Sequence, residues 1–459
     1  MTIWLPDLEG RAGPRYRVIA EAIGDDVSNG RLKPGERLPT HRDLADRLAV
    51  TVGTVSRAYA EAAHRGLLSG EVGRGTFIRS WPEPIAGHPG EPDLVDLSLN
   101  HPPISATARS ALHAALASLT GRLDLDPFLG YPADGGNPSH REAGAAWIAR
   151  TGIGARPEQV VVCSGSQHGL TTVLATLLGP GDLVLTEALT YPGIKAIAGL
   201  LRLRLQGLPL DREGLRPDAF EDACKKGGVK ALHCVPTIQN PTTSVLPAGR
   251  RQEIAAIARA HGVAIVEDDI HALLPEDQPR PISAHAPEIG YYVTSTSKTL
   301  APGLRIGYIL APPGMVDRLA AATRATAGAS APLMAEIAAT WIRDGTADAI
   351  LADRRREAAA RQALAREALG SAEYQAHPVG YHLWLQLPEP WRSETFTAQA
   401  RRRGVAVTPA EAFVVGRGTA PHAVRLCLGT ARTRADLGRG LRLVMETLAS
   451  PPEPPFPVV

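Results

Sequence analysis

Lysine is the residue this chain nearly does without. Of its 49 basic residues only Lys33, Lys195, Lys225, Lys226, Lys230 and Lys298 are lysines. Where arginine is the default cation, a lysine marks a position that needs an amine. Cysteine is scarce too: Cys163, Cys224, Cys234 and Cys427 form no C-x-x-C pair. That excludes a disulfide framework and a cysteine zinc site, and reads as free thiols in a reducing compartment. No apolar run approaches the roughly 20 residues that span a bilayer. No basic-then-apolar leader opens the sequence either, so a soluble, cytoplasmic protein is expected. Charge of one sign is missing as well. The 49 basic residues face 47 acidic ones for a net charge of +2. Nothing pulls the whole chain towards nucleic acid, and any DNA contact must come from local placement. What remains is globular: 459 residues, 44% hydrophobic and 21% charged, enough for two or three domains.

The most informative lysine is Lys298. It follows a short apolar run at 291–294 in the stretch Ser295-Thr296-Ser297-Lys298-Thr299-Leu300-Ala301-Pro302-Gly303-Leu304-Arg305. Hydroxyls before it and a guanidinium after it suit a phosphate-bearing aldehyde that the amine captures as a Schiff base, which describes pyridoxal 5'-phosphate. The plain alternative is a surface lysine in a polar loop.

Around it, strand-like runs at 160–163, 183–186, 230–235, 263–266 and 291–294 alternate with helical periods. That is the pattern of an α/β unit with an open, mostly parallel sheet. In such sheets ligands collect beyond the carboxyl ends of the strands, and each candidate strand here is followed by a distinctive polar residue. The first leads to Ser166 and Gln167 at a helix start, where backbone N–H groups face a phosphate or simply make a turn. The second leads to Tyr191, whose ring either stacks on a flat heterocycle or packs in the core. The third leads to Asn240 between prolines, placed to donate to a phenolate oxygen or to form a turn. The fourth ends in Asp268, a carboxylate that is costly at a buried strand end unless paired, for instance with a pyridinium N–H; capping is the alternative. The fifth leads to Ser295, Lys298 and Arg305.

Residues 1–79 read as a separate module. A helical period runs over 15–29, Lys33-Pro34-Gly35 breaks it, and Thr40 caps a short helix with Leu44, Ala45 and Leu48 inward. A third helix buries Val55, Ala58, Tyr59 and Ala62 and exposes Thr51, Thr54 and Arg57, all able to bond phosphates or base edges. Residues 66–78 read as a hairpin with Arg74 at its tip. The set suits a winged helix-turn-helix, with a helical dimerisation module as the alternative. It holds 12 basic and 10 acidic residues, so affinity per module is modest and a dimer would raise it. A proline-rich linker of 80–93 follows, reaching at most roughly 40–45 Å. The cofactor domain is placed at 94–313 and a small C-terminal α+β domain at 314–459. There, helical periods run over 316–343 and 349–369. The triplets Arg354-Arg355-Arg356 and Arg401-Arg402-Arg403 read as solvated helix faces. Tyr381 to Leu387 alternate as a strand with one buried face. Arg425 sits inside the apolar strand 423–429, as a carboxylate clamp or half of a buried salt bridge. The end from Pro451 onward reads as a loose tail.

These motifs carry a resemblance. Gly30-Arg31-Leu32-Lys33-Pro34-Gly35-Glu36-Arg37-Leu38-Pro39-Thr40-His41-Arg42-Asp43-Leu44-Ala45, Thr54-Val55-Ser56-Arg57-Ala58-Tyr59 and Gly73-Arg74-Gly75-Thr76-Phe77 resemble the DNA-binding domain of GntR-type bacterial regulators. The likeness implies that Arg42, Thr54, Arg57 and Arg74 face DNA. From about 94 to 450 the order of features resembles fold-type-I aminotransferases. That implies an internal aldimine at Lys298, Asp268 on the pyridine nitrogen, Asn240 on the ring oxygen and Tyr191 stacked. It assigns Ser166, Gln167, Ser295 and Arg305 to the phosphate and Arg425 to a substrate or effector carboxylate. The stretch from Tyr131 to Arg141 resembles the family's glycine-rich loop, whose tyrosine often reaches the partner subunit's site. One departure stands out: Ile270 and His271 occupy the places of a tyrosine that bonds the ring oxygen, leaving His271 as a substitute donor. Together the two halves resemble the MocR-type subfamily of GntR regulators. The resemblance implies a dimeric, DNA-binding regulator that holds pyridoxal 5'-phosphate and senses an amino acid, an amine or the cofactor itself. The alternative is a metabolic aminotransferase carrying a DNA-binding domain.

Overall fold

The structure is a computed structural model that describes residues 4–8, 11, 13–29, 31–32, 36–64, 67–71, 75–78, 94–103, 105–121, 125–416 and 418–452. The chain break expected at Lys33-Pro34-Gly35, the hairpin tip with Arg74, the linker 80–93 and most of the expected C-terminal tail lie outside the described residues. The chain divides into two compact units, Met1–Ala86 and Gly87–Val459.

In the first unit α1 (Arg15–Ser28), α2 (His41–Arg47) and α3 (Val52–His64) precede a two-stranded antiparallel wing, β1 (Leu68–Glu71) and β2 (Gly75–Ile78). The apolar stripes meet in one core: Ile19, Ala20 and Ile23 from α1, Leu44 and Ala45 from α2, Val55, Ala58 and Ala62 from α3, and Leu68 and Ile78 from the wing. The Thr40 hydroxyl accepts the Asp43 N–H at 3.2 Å and so caps α2.

The second unit begins with β3 (Val95–Asp96), α4 (Ala106–Thr120), α5 (Pro138–Ala149), β4 (Val160–Cys163), α6 (Ser166–Leu177), β5 (Leu183–Glu187), α7 (Pro192–Leu200), β6 (Arg204–Leu208) and the small pair β7 (Leu210–Asp211) and β8 (Gly214–Leu215). It continues with α8 (Pro217–Lys225), β9 (Val229–Cys234), α9 (Ala248–His261), β10 (Ala264–Asp268), β11 (Gly290–Ser295) and β12 (Gly307–Leu310). A seven-stranded sheet runs in the order β4-β12-β11-β10-β9-β5-β6, with only β12 antiparallel to its neighbours. Alternate residues serve opposite faces: Val161, Val184, Ala231, Val266 and Val293 pack with α6 and α7. Leu185, Leu232 and Ile265 meet α8 and α9, while Val160 and Val162 meet α5. Burial on both faces explains why these strands are continuous apolar runs.

Next come α10 (Val316–Ala327), α11 (Pro332–Arg343), α12 (Thr346–Leu369), β13 (Tyr374–Ala376), β14 (His382–Gln386), α13 (Ser393–Arg402), β15 (Val405–Ala406), β16 (Thr408–Pro409), β17 (Ala423–Cys427) and α14 (Arg434–Leu448). The single helical period expected over 316–343 is two helices, parted at Gly328 with φ 71°. A four-stranded sheet, β13-β14-β17-β16, packs on α13 and α14, and Val95 and Leu97 join that core through β3 pairing with β15.

Two expectations are corrected here. β14 is buried on both faces: Leu383 and Leu385 enter the apolar core while His382 and Trp384 are covered by other segments. Arg354 is buried and Arg355 half-buried, rather than lying on a solvated face. Arg354 is 3% exposed and donates to Leu300 O at 2.6 Å and to Pro103 O; Arg355 donates to Leu273 O at 2.8 Å and Leu274 O at 2.9 Å. Only Arg356 keeps its head in solvent, beside Asp353. All four cysteines are free and buried. Among the described residues no helix is long and apolar enough to cross a membrane.

Candidate functional site

The parallel strands β4, β5, β9, β10 and β11 end at one edge of the sheet, and the polar residues that follow them converge there. Lys298 leaves the end of β11 and donates from Nζ to Asn100 O. Burial drives its amine down to about 8; the guanidinium groups of Arg425 and Arg305 push the same way, while Cys427 and Asp268 oppose them. Asp268 closes β10 at 2% exposure with its Oδ1 lacking a partner. Burial first, then Asp269 and Glu187, push its carboxyl up to about 7, against the pull of Lys298. An acceptor orphaned in this way is the costly kind of buried group that a ligand donor relieves.

His271 lies beside them, buried, with neither ring nitrogen bonded. Burial, then Lys298, His382 and His377, hold it well below the usual histidine range, so it is neutral and carries one N–H. Its ring centroid is 6.0 Å from that of His382. Tyr191 caps the start of α7 and donates to Gln167 Oε1 at 3.0 Å, and Gln167 Nε2 donates to Gly193 O at 3.3 Å. Asn240 precedes a cis proline, and its Oδ1 accepts from Arg425 Nη1 at 2.8 Å, which turns the amide donor the other way.

The phosphate-friendly end is built by α6. Gly165 has φ 86°, and a Cβ there would come within 3.0 Å of Arg305 Nη2. Glycine therefore lets the Arg305 head lie against the turn that carries Ser166 and Gln167, at the helix N-terminus. Ser295 is fully buried, its Oγ accepting the Ser297 N–H at 3.4 Å. Arg425 enters from β17, 3% exposed, with its head over the Phe413 ring at 4.8 Å. Its Nη2 donates to Ser98 O at 2.5 Å and its Nε has no partner. Among the described residues no carboxylate pairs with it, so the buried salt bridge is not its role here.

Tyr131 does not join this cluster: it is 98% exposed. In the first unit Arg42 and Arg57 are exposed, and Arg57 also lies over the Tyr16 ring at 4.5 Å. Thr51 Oγ1 accepts the Thr54 N–H at 3.2 Å, so this hydroxyl caps α3 while facing outward with Thr54. Sequence reasoning missed Ser98, Asn100, His382 and Thr408, which touch the site residues from segments far apart in the chain. Only the buried His382, on a strand read as one-sided, carried a signal.

The orphaned Asp268 acceptor, the amine of Lys298, the Asn240 donor and the Gly165–Arg305 cradle together fit pyridoxal 5'-phosphate. Comparison with known proteins agrees. Residues 92–443 match the model for aminotransferase class I and II, and residues 15–78 match that for bacterial regulatory proteins of the gntR family. The chain is 28% identical to the uncharacterized HTH-type transcriptional regulator YdeF of Bacillus subtilis, over 97% of this chain and 96% of that one. It is 30% identical to the HTH-type pyridoxine biosynthesis transcriptional regulator PdxR of Corynebacterium glutamicum, over 64% of this chain and 65% of the relative. Among solved structures, Pyrococcus horikoshii kynurenine aminotransferase in complex with PMP superposes with a TM-score of 0.72 at 25% identity, covering 78% of this chain and 91% of that one. The chain belongs to the aminotransferase class I and II family and carries a gntR-family helix-turn-helix ahead of it, the MocR-type architecture.

Proposed function

We propose that this chain is a transcriptional regulator: its winged helix-turn-helix binds an operator in double-stranded DNA, and its pyridoxal phosphate site reads a small amino acid, an amine or the cofactor itself. The observation that carries this reading is the end-to-end likeness, 97% of this chain against 96% of the relative, to a protein named as a transcriptional regulator. When bound, the cofactor supplies an aldehyde that captures a primary amine and a ring that withdraws electrons.

The chain's own residues divide the remaining work. Lys298 presents a largely desolvated amine, and Asp268 accepts from the ring nitrogen. Asn240 and His271 offer donors to the ring oxygen, and Tyr191 stacks. Ser166, Gln167, Ser295 and Arg305 hold the phosphate. Arg425 takes the carboxylate of an effector, which its unpartnered Nε and its lack of an acidic partner support. Arg42, Thr51, Thr54, Arg57 and Arg74 face DNA. The exposed Tyr131 ring suits a homodimer in which it meets a second copy.

A gel-shift of the full chain on its own upstream DNA, with and without pyridoxal phosphate and a panel of amino acids, tests the reading. A ligand-dependent shift is expected, with the amino-acid response lost in Arg425→Ala. No binding to such DNA, together with many turnovers of amino acid to keto acid, overturns it in favour of a metabolic aminotransferase.

A further inference from the structure

The segment 97–101 lies against the site, and two of its backbone carbonyls accept from Arg425 and Lys298, the groups assigned above to ligands. Ser98 O accepts from Arg425 Nη2 at 2.5 Å and from Thr408 Oγ1 at 2.9 Å. Leu99 O accepts from Thr430 Oγ1. Asn100 O accepts from Lys298 Nζ. Leu97 adds two ladder bonds to the C-terminal strands: its O accepts from Cys427 N at 2.7 Å and its N–H donates to Ala406 O at 2.8 Å. The fit is close enough to dictate sequence opposite it. A Cβ on Gly429 would lie 1.9 Å from His101 O, so that position admits no side chain while the strap is seated.

A carbonyl oxygen on a guanidinium is a weaker, uncharged version of a carboxylate in the same place. Ser98 O thus occupies the position on Arg425 that a carboxylate would take, and Asn100 O engages the amine that the cofactor needs. We propose that the strap 97–101 is a built-in competitor for the site, released when the cofactor takes Lys298 and the effector's carboxylate takes Arg425. This inference rests on the proposed function and adds the element that registers occupancy. The strap lies only a few residues beyond the linker 80–93 in sequence. Two states with different partners for Arg425 and Lys298 are what a ligand needs in order to bias an equilibrium.

Amide hydrogen exchange on the full chain tests it. The reporters are the N–H groups of Leu97, Ser98 and His101, which donate to Ala406 O, Asp96 Oδ1 and Leu99 O. Exchange is compared in the free chain, after loading with pyridoxal phosphate, and after adding acetate at high concentration against chloride of equal ionic strength. The strap amides should exchange faster on loading and faster again with acetate, while those of β14 stay unchanged. Thr430→Val, which removes the Leu99 O bond and touches neither cofactor nor effector group, should speed strap exchange roughly 5-fold in the free chain, the factor for one neutral hydrogen bond. Gly429→Ala should do so more strongly. Strap exchange indifferent to acetate, with a visible absorption band showing Lys298 loaded, overturns the competitor while leaving the proposed function standing. Absence of the band overturns that function and the competitor with it.

Discussion

Lys298 should capture pyridoxal phosphate near neutral pH far faster than an ordinary lysine. Its amine is held down to about 8 from the usual 10.5, chiefly by burial. Only the neutral amine attacks an aldehyde. At pH 7 about one-tenth of a group with that value is neutral, against roughly 0.03% at 10.5, a gain of about 300-fold. The assay mixes the cofactor-free chain with excess pyridoxal phosphate and follows the visible band from pH 6 to pH 10, with Lys298→Ala as the blank. The rate should climb about tenfold per pH unit up to about 8 and then level off. A rate that still rises tenfold per unit through pH 9 and 10 would show an unperturbed amine and refute the reasoning. Lys225, whose amine is held up by its bond to Glu221, provides a comparison within the same chain, since a general aldehyde reagent should label it on a later profile.

Asp268→Asn should stabilise the cofactor-free chain at pH 8 while weakening its hold on the cofactor. The folded carboxyl is raised to about 7, so the folded chain binds more protons than the unfolded one between about pH 4 and pH 7. Stability therefore falls as pH rises through that window, and the full penalty, on the order of 2–4 kcal/mol, persists above it. Thermal midpoints of variant and parent should converge below pH 4, and equal midpoints at pH 8 would contradict the orphaned acceptor. Arg354→Met should cost about 2–5 kcal/mol, because Leu300 O and Pro103 O lose their buried donor, whereas Arg356→Met should be near neutral. Chemical denaturation of both variants checks the contrast. Arg57→Ala should weaken operator binding and lower the slope of log affinity against log salt by about one, read in a salt series of gel-shifts.

The parts legible in the sequence were those written in local code. Thr40 caps a helix, the apolar period of α3 buries Val55 and Ala58, and apolar strands end in Asp268 and Lys298; each follows from spacing within a few residues. What escaped depends on partners far away in the chain. The arginines of α12 looked solvated because nothing nearby in sequence reveals that Leu300 O, Pro103 O and Leu273 O lack donors. β14 looked one-sided because the segments that cover His382, among them Gln239 and Asn100, come from elsewhere in the chain. The strap was invisible for a similar reason: its chemistry resides in backbone carbonyls, which every residue carries and no motif announces.

Lys298 and Arg305 stand on one loop, closed where β11 meets β12 by the pairing of Ser295 with Gly307 and by Thr296 N donating to Ile306 O at 3.0 Å. That closure makes the loop a ruler. The distance between the amine and the guanidinium is set by a fixed count of residues between two fastened ends, with Tyr381 on Lys298 O and Arg354 on Leu300 O pinning the loop between them. Surface loops elsewhere in such a fold accept insertions freely. This one should tolerate none, and the length from Ser295 to Gly307 should resist change more strictly than the identity of most residues within it.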